Sequence, residues 1–171
     1  MNSGNLDIVL VLIEYGAFIN DKDNEGKTTL FSIINDGKIE IISALVRLGA
    51  FVDEEDCDGR TALFDATKAD RLDVVELLIR NGASLNRFSH ADYSHQGYDT
   101  PLIFAGRAGY MDIFKALIDA GASVNVRGDD RETPLISISR CDYFTGVQQI
   151  MAHGCPVGPS IGSKEEYPLI P

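Results

Sequence analysis

Glycine recurs in this chain at a fixed distance, and that distance restricts the fold more than any other feature. Gly16, Gly49 and Gly82 are spaced by 33 residues, as are Gly121 and Gly154. Between Gly82 and Gly121 the interval is 39, one period plus six. Other residue types keep the same register: Gly4 with Gly37, Gly26 with Gly59, Thr28 with Thr61, and Thr100 with Thr133. Several types shifting together across an insertion mark an internal repeat. In such a chain each unit is one supersecondary element that buries its apolar face only against its neighbours.

Each period has the same physical grammar. In the run Asp56-Cys57-Asp58-Gly59-Arg60-Thr61-Ala62-Leu63, Asp and Gly suit a turn and Thr61 suits the N-cap of a following helix. Pro101 and Pro134 occupy the favoured first helical position in later periods. A short helix then breaks near Gly37, Asp70, Gly109 or Asp142. In the second helix Leu72, Val74, Val75, Leu78 and Ile79 share one broad face, with Asp73, Glu76 and Arg80 off it. Gly82 follows, where a left-handed C-cap is expected.

These residues resemble the ankyrin repeat. Asp23 through Leu30 and Thr100-Pro101-Leu102 match the opening of the family's motif, and Gly109 through Asn125 match its second part. The resemblance covers about residues 4–158. It implies an all-α solenoid of stacked helix–turn–helix units with short β-hairpin fingers. The expected divisions are a half repeat over 1–20, repeats over 21–53, 54–86, 87–125 and 126–158, and a tail or the start of a further repeat over 159–171. The half repeat holds only a second helix, so Ile8, Val9, Leu12 and Ile13 lack a first helix of their own. Cut repeats at both ends suggest a segment of a longer array; the alternative is a complete small protein whose ends are covered by a partner or by self-association.

Three departures from the family pattern stand out. Its usual His after the Thr-Pro-Leu motif is replaced by Phe31, Phe64, Ile103 and Ile136, so burial is expected to hold this column in place of a polar ladder. Arg131 stands where the turn Gly belongs, and Gly146 sits inside a helix in the fifth repeat. Asn20, Asn86 and Asn125 share one register position, and the resemblance implies a hydrogen bond within the hairpin for each.

Net charge narrows the partner class. At −11 the chain repels phosphate backbones and anionic lipid, so neither nucleic acid nor membrane is expected as a partner. No run of about 18 apolar residues is present. The cysteines, Cys57, Cys141 and Cys155, are odd in number and far apart, which reads as free thiols in an intracellular, cytoplasmic setting, with a nuclear one also allowed.

No catalytic, cofactor or metal constellation is expected. Glu54 through Asp65 alternates acids before Gly59 as a calcium loop does, but a bidentate Glu and two flanking helices are missing, and an acidic hairpin tip is the better reading. His90, Asp92 and His95 have no indicated fourth ligand. Nothing supplies an oxyanion donor beside a Cys–His pair.

The resemblance implies binding of another protein or peptide through finger tips and first-helix ends. Carried over by position, the tips include Arg60, Asp99 and Glu132, and the helix ends include Lys68, Arg107 and Arg140. The six-residue insertion adds Phe88, His90, Tyr93 and Tyr98, a composition typical of interface anchors. Asp21, Asp23, Glu25, Asp53, Glu54, Glu55, Asp56 and Asp58 make the first two fingers acidic, which favours a partner with a basic segment. The alternative is a targeting arm of a larger enzyme or effector whose catalytic part lies elsewhere.

Overall fold

Three threonines start helices by the same device. Thr61, Thr100 and Thr133 lie extended, and each Oγ1 accepts the backbone N–H three residues on, from Phe64, Ile103 and Ile136 at 3.4, 3.4 and 3.3 Å. In this computed structural model, which describes residues 4–89, 98–128 and 131–140, they open α4 (Ala62–Lys68), α6 (Pro101–Ala108) and α8 (Pro134–Ser139). The other helices are α1 (Gly4–Glu14), α2 (Thr29–Ile34), α3 (Ile39–Arg47), α5 (Leu72–Arg80) and α7 (Met111–Asp119).

Short first helices pair with longer second ones: α2 with α3, α4 with α5, α6 with α7. The first helices α2, α4, α6 and α8 stack side by side, and α3, α5 and α7 form the second row. Between the rows runs one core, built from Leu30, Ile42 and Leu45, then Leu63, Val75 and Leu78, then Leu102, Phe114 and Leu117, all essentially inaccessible to solvent. Volumes are traded along this core. Where Thr67 and Val75 stand in one repeat, Gly106 and Phe114 stand in the next, and a Cβ on Gly106 would fall 2.3 Å from Ser137 Oγ and 3.2 Å from Phe114 Cε2.

Turns obey the sequence reading, with two costs. Gly16, Gly49, Gly82 and Gly121 follow the second helices at φ between 83° and 97°. Asp70 and Arg131 take the same left-handed region without being glycine, at φ 53° and 59°. Arg131 thus adopts the conformation of the Gly it replaces.

Burial does replace the missing His column in three repeats: Phe31, Phe64 and Ile103 are buried. The Phe64 ring meets Phe104 edge-on, centroids 5.4 Å apart. At Ile136 the expectation fails. It is 44% exposed, because among the described elements none stacks beyond α8.

A second correction concerns the asparagines. Asn20 and Asn86 bond across repeats and not within a hairpin. Asn20 Nδ2 donates to Gly49 O at 3.1 Å, and Asn20 Oδ1 accepts Phe51 N–H at 2.9 Å. Asn86 Oδ1 accepts Ser123 N–H at 2.8 Å. Asp53, in the same register, accepts from Ser84 N–H at 2.8 Å and from the Ser84 hydroxyl. The loops after α1, α3 and α5 are thereby each tied to the next.

Fingers are tight. Asp23 Oδ1 accepts the N–H groups of Glu25 and Lys27, and Asp56 Oδ1 those of Asp58 and Arg60, all at 2.9 Å. Cys57 N–H donates to Glu25 O at 2.9 Å and joins these two fingers. Extended pairing among the described residues is limited to single bridges, Glu55 with Thr61 and Ser89 with Asp99.

Thr28 shares the capping register but caps nothing. It is buried, and its Oγ1 has no hydrogen-bond partner. A buried unpaired hydroxyl costs about 1–3 kcal/mol, whereas a working cap contributes about 1 kcal/mol. Thr28→Val is therefore expected to leave stability unchanged or raise it by up to about 1 kcal/mol, and Thr100→Val to lower it by about 1 kcal/mol. Urea denaturation midpoints of the two variants check this; equal losses would contradict it.

Candidate interaction surface

Two register columns line the side where fingers meet first helices. Lys27, Arg60, Asp99 and Glu132 each precede the Thr of the capping register; Lys68, Arg107 and Arg140 stand at the ends of first helices. The first column changes sign halfway along. Cations stand there in the first two full repeats and carboxylates in the last two.

That change assembles an ion-pair network. Arg107 Nη1 lies 2.8 Å from Asp99 Oδ2 within its own repeat, and its Nε donates to Glu132 Oε2 of the next repeat at 2.9 Å. Arg140 Nη1 stands 3.3 Å from Glu132 Oε1, close enough for an ion pair though not aligned as a hydrogen bond. Asp99 and Glu132 are buried, while Arg107 and Arg140 reach solvent. Gly128 makes room, since a Cβ there would fall 2.9 Å from Asp99 Oδ1. Burial opposes the Arg107 charge, but Asp99 and Glu132 outweigh it and hold the guanidinium above its ordinary pKa.

Arg60 forms a separate cluster. It pairs with Asp56 at 3.0 Å, with Asp58, and more loosely with Asp65 at 3.9 Å. Burial raises the Asp65 pKa, with Asp56 adding to the rise and Arg60, Lys27 and Lys68 working against it. Asp56 spends its carboxylate on two backbone N–H groups and a guanidinium, so the calcium-like spacing has a protein cation as its counter-ion.

Five of the predicted partner-binding residues, Arg60, Asp99, Arg107, Glu132 and Arg140, are thus bonded within the chain, and the last four of them to one another. Lys68 is exposed. Tyr98 is 57% exposed and Phe88 half-buried, at the base of the insertion that Ser89 closes by donating its N–H to Asp99 O at 2.9 Å. His90 and Tyr93 lie outside the described residues, as do residues 141–171 with the fifth repeat's expected second helix.

The acidic fingers are partly neutralised. Lys22 pairs with Glu54 at 2.6 Å, Lys27 with Glu25 at 2.7 Å, and Arg87 with Glu55 at 3.4 Å. With Arg60, four cations stand among eight carboxylates. Asp21 and Asp23 are exposed.

A family model for ankyrin repeats in three copies matches residues 1–89, and the ankyrin repeat model matches residues 98–129. The chain belongs to the ankyrin repeat family. Ankyrin arrays are protein-interaction modules and generally not catalysts, and the stacked helix pairs described above are that architecture. The chain is also similar to the probable E3 ubiquitin-protein ligase XBOS33 of Oryza sativa subsp. japonica, 36% identical over 61 residues, which is 36% of this chain and 12% of that protein. Among the described residues no group of three or more His, Cys, Asp or Glu side chains is placed to hold a metal ion, and no helix is long and apolar enough to cross a membrane.

Arg107→Ala would leave two buried carboxylates without their main counter-charge. The expected loss is about 2–4 kcal/mol, the lower part of the range reflecting the partial exposure of Arg107; it is read from denaturant unfolding. Asp65 supplies a pH-dependent test. A carboxyl with a raised folded pKa contributes stability below its unfolded pKa and loses it as pH rises through the folded one. Asp65→Asn should therefore be more stable relative to the parent at pH 7 than at pH 4. Parallel thermal melts at the two pH values would expose a gap of the opposite sign.

Proposed function

We propose that this chain is an intracellular protein-interaction module that engages a basic segment of its partner along the fingers and first-helix ends. The carrying observation is the excess of carboxylates on the first two fingers, where eight acids face four cations. Asp21, Asp23 and Glu25 are exposed there. An unbalanced acidic edge accelerates encounter with a cationic segment and disfavours acidic competitors. Tyr98, with the insertion's Phe88, His90 and Tyr93, supplies aromatic anchors beyond the acidic edge. Lys68 and the ion-paired Arg60, Asp99, Arg107, Glu132 and Arg140 complete the surface; the pairing holds their heads in place before a partner arrives.

A second reading is that the array is the recruiting arm of a larger protein with enzymatic activity elsewhere. Similarity to a protein named as a probable ubiquitin ligase, over only 12% of that protein's length, favours it.

A fluorescent Lys/Arg-rich peptide without helical propensity tests the first reading. At 50 mM salt the triple variant Glu25→Gln, Glu54→Gln, Asp58→Asn should slow its association by roughly five-fold, and 300 mM salt should remove most of the difference. Equal association rates for parent and variant at both salt concentrations would refute the basic-segment assignment.

A further inference from the structure

Two positions that the repeat leaves open carry large apolar side chains in one part of the array. The first directly follows each second helix, and the other lies three residues further on. After α5 they hold Asn81 and Ser84, and after α7 Ala120 and Ser123. After α3 they hold Leu48 and Phe51, and after α1 Tyr15 and Phe18. Leu48 is 47% exposed and Phe51 59% exposed.

Neighbouring repeats do not cover this pair. The loop that carries Phe51 is tied on both sides. Asn20, from the loop before, bonds to Gly49 O and Phe51 N–H, and Asp53 accepts from Ser84 in the loop after. With both neighbours in place the Phe51 ring still meets solvent. Its exposure is therefore a property of this surface and not of an array end.

Nor does the fold use these side chains as it uses their counterparts. Asn81 Nδ2 donates to Leu77 O at 2.8 Å and satisfies a carbonyl in the last turn of α5, and the Ser84 hydroxyl donates to Asp53. Leu48 and Phe51 can make neither bond. Large apolar residues at open positions, where the same fold elsewhere places hydrogen-bonding ones, mark a contact surface.

Charge and continuity narrow the occupant. The chain runs from Phe18 and Phe51 directly into the first two fingers with their eight carboxylates. Arg47 is exposed beside Leu48, at the helix side of the pair. An occupant with its cations on the finger side of its apolar anchors meets complementary charge along its length. A second copy of this chain, at net charge −11, meets repulsion.

We propose that Leu48 and Phe51, extended by Tyr15 and Phe18, form an apolar docking patch for the same basic segment that the acidic fingers attract. The partner segment is one in which large apolar residues stand next to a Lys/Arg cluster: the patch takes the apolar anchors and the fingers take the cations. This inference rests on the basic-segment reading above and adds the anchor that holds such a segment once it has arrived.

Two sets of fluorescent peptides test it on the full chain: the plain Lys/Arg-rich peptide, and versions with Leu and Phe placed two, three or four residues apart before the basic run. The best anchored peptide should bind the parent at least ~10-fold more tightly than the plain one, mainly through slower dissociation. Leu48→Asn with Phe51→Ser installs the residues that the next repeat carries, so the melting temperature should not fall. This double variant should lose the gain from the anchors and keep the parent's association rate. Each single substitution should lose part of it. The finger variant Glu25→Gln, Glu54→Gln, Asp58→Asn should instead slow association of both peptides. No gain from any anchor spacing overturns the inference, as does an anchored peptide that leaves parent and double variant equally slowly; either result leaves the basic-segment reading standing. Finger substitutions without effect on either peptide overturn that reading and this inference with it. Sedimentation showing a dimer that Phe51→Ser dissociates overturns the inference too, since the occupant would then be a second copy.

Discussion

Burial of apolar faces between neighbouring repeats is the interaction on which everything else in this chain rests. A helix pair of this size has too little interior to hold itself together. Leu63, for instance, is fully enclosed, and α4 is flanked by α2 and α6 as well as backed by α5. Each such side chain contributes about 1.5–3 kcal/mol when fully buried. The threonine caps and left-handed turns serve this arrangement by starting and ending the helices where the next repeat needs them to. The loss of the family's His after the Thr-Pro-Leu motif is tolerable for the same reason. Phe31, Phe64 and Ile103 fill their positions with apolar volume and leave no ring nitrogen to satisfy.

Polar interactions sit at the margins of that core and fix alignment. Asn20, Asp53 and Asn86 tie each loop to the following one through backbone N–H groups that would otherwise lack a partner. The Arg107 network does this at the finger side, joining the fourth repeat to Glu132 of the fifth. It lies where local sequence supports the fold least, since Arg131 occupies a left-handed turn and Gly128 stands in the register of the turn aspartates. The charge cluster proposed as part of the interaction surface therefore has a structural duty. Substitutions at Asp99 and Glu132 would change stability along with any proposed contact.

The exposure of Ile8 and Leu12 on α1 follows from the same constraint, since among the described residues no first helix of the same repeat packs on them. Ile8 and Leu12 stand in the register of Ile41 and Leu45, which are buried.

The 33-residue period, the Thr caps, the glycine turns and the apolar faces of the second helices were all legible in the sequence, because each is a local signal acting over a few residues. The candidate site was legible only as a set of positions. Sequence placed Arg60, Asp99, Arg107, Glu132 and Arg140 on one side of the array but not in each other's company, since those pairings join residues up to 25 apart. It also assigned Asn20 and Asn86 to the wrong partners and overlooked the role of Asp53, because nothing local distinguishes a hairpin acceptor from one aimed some 31 residues on. Ile136 has the same local pattern as Ile103, yet one is exposed and the other buried. What the sequence by itself determined is the repeat and its helices, which follow from backbone propensity and periodicity. Which charges pair, which loops are tied and which apolar faces remain open were decided by stacking alone, because those contacts exist only once neighbouring repeats are brought together.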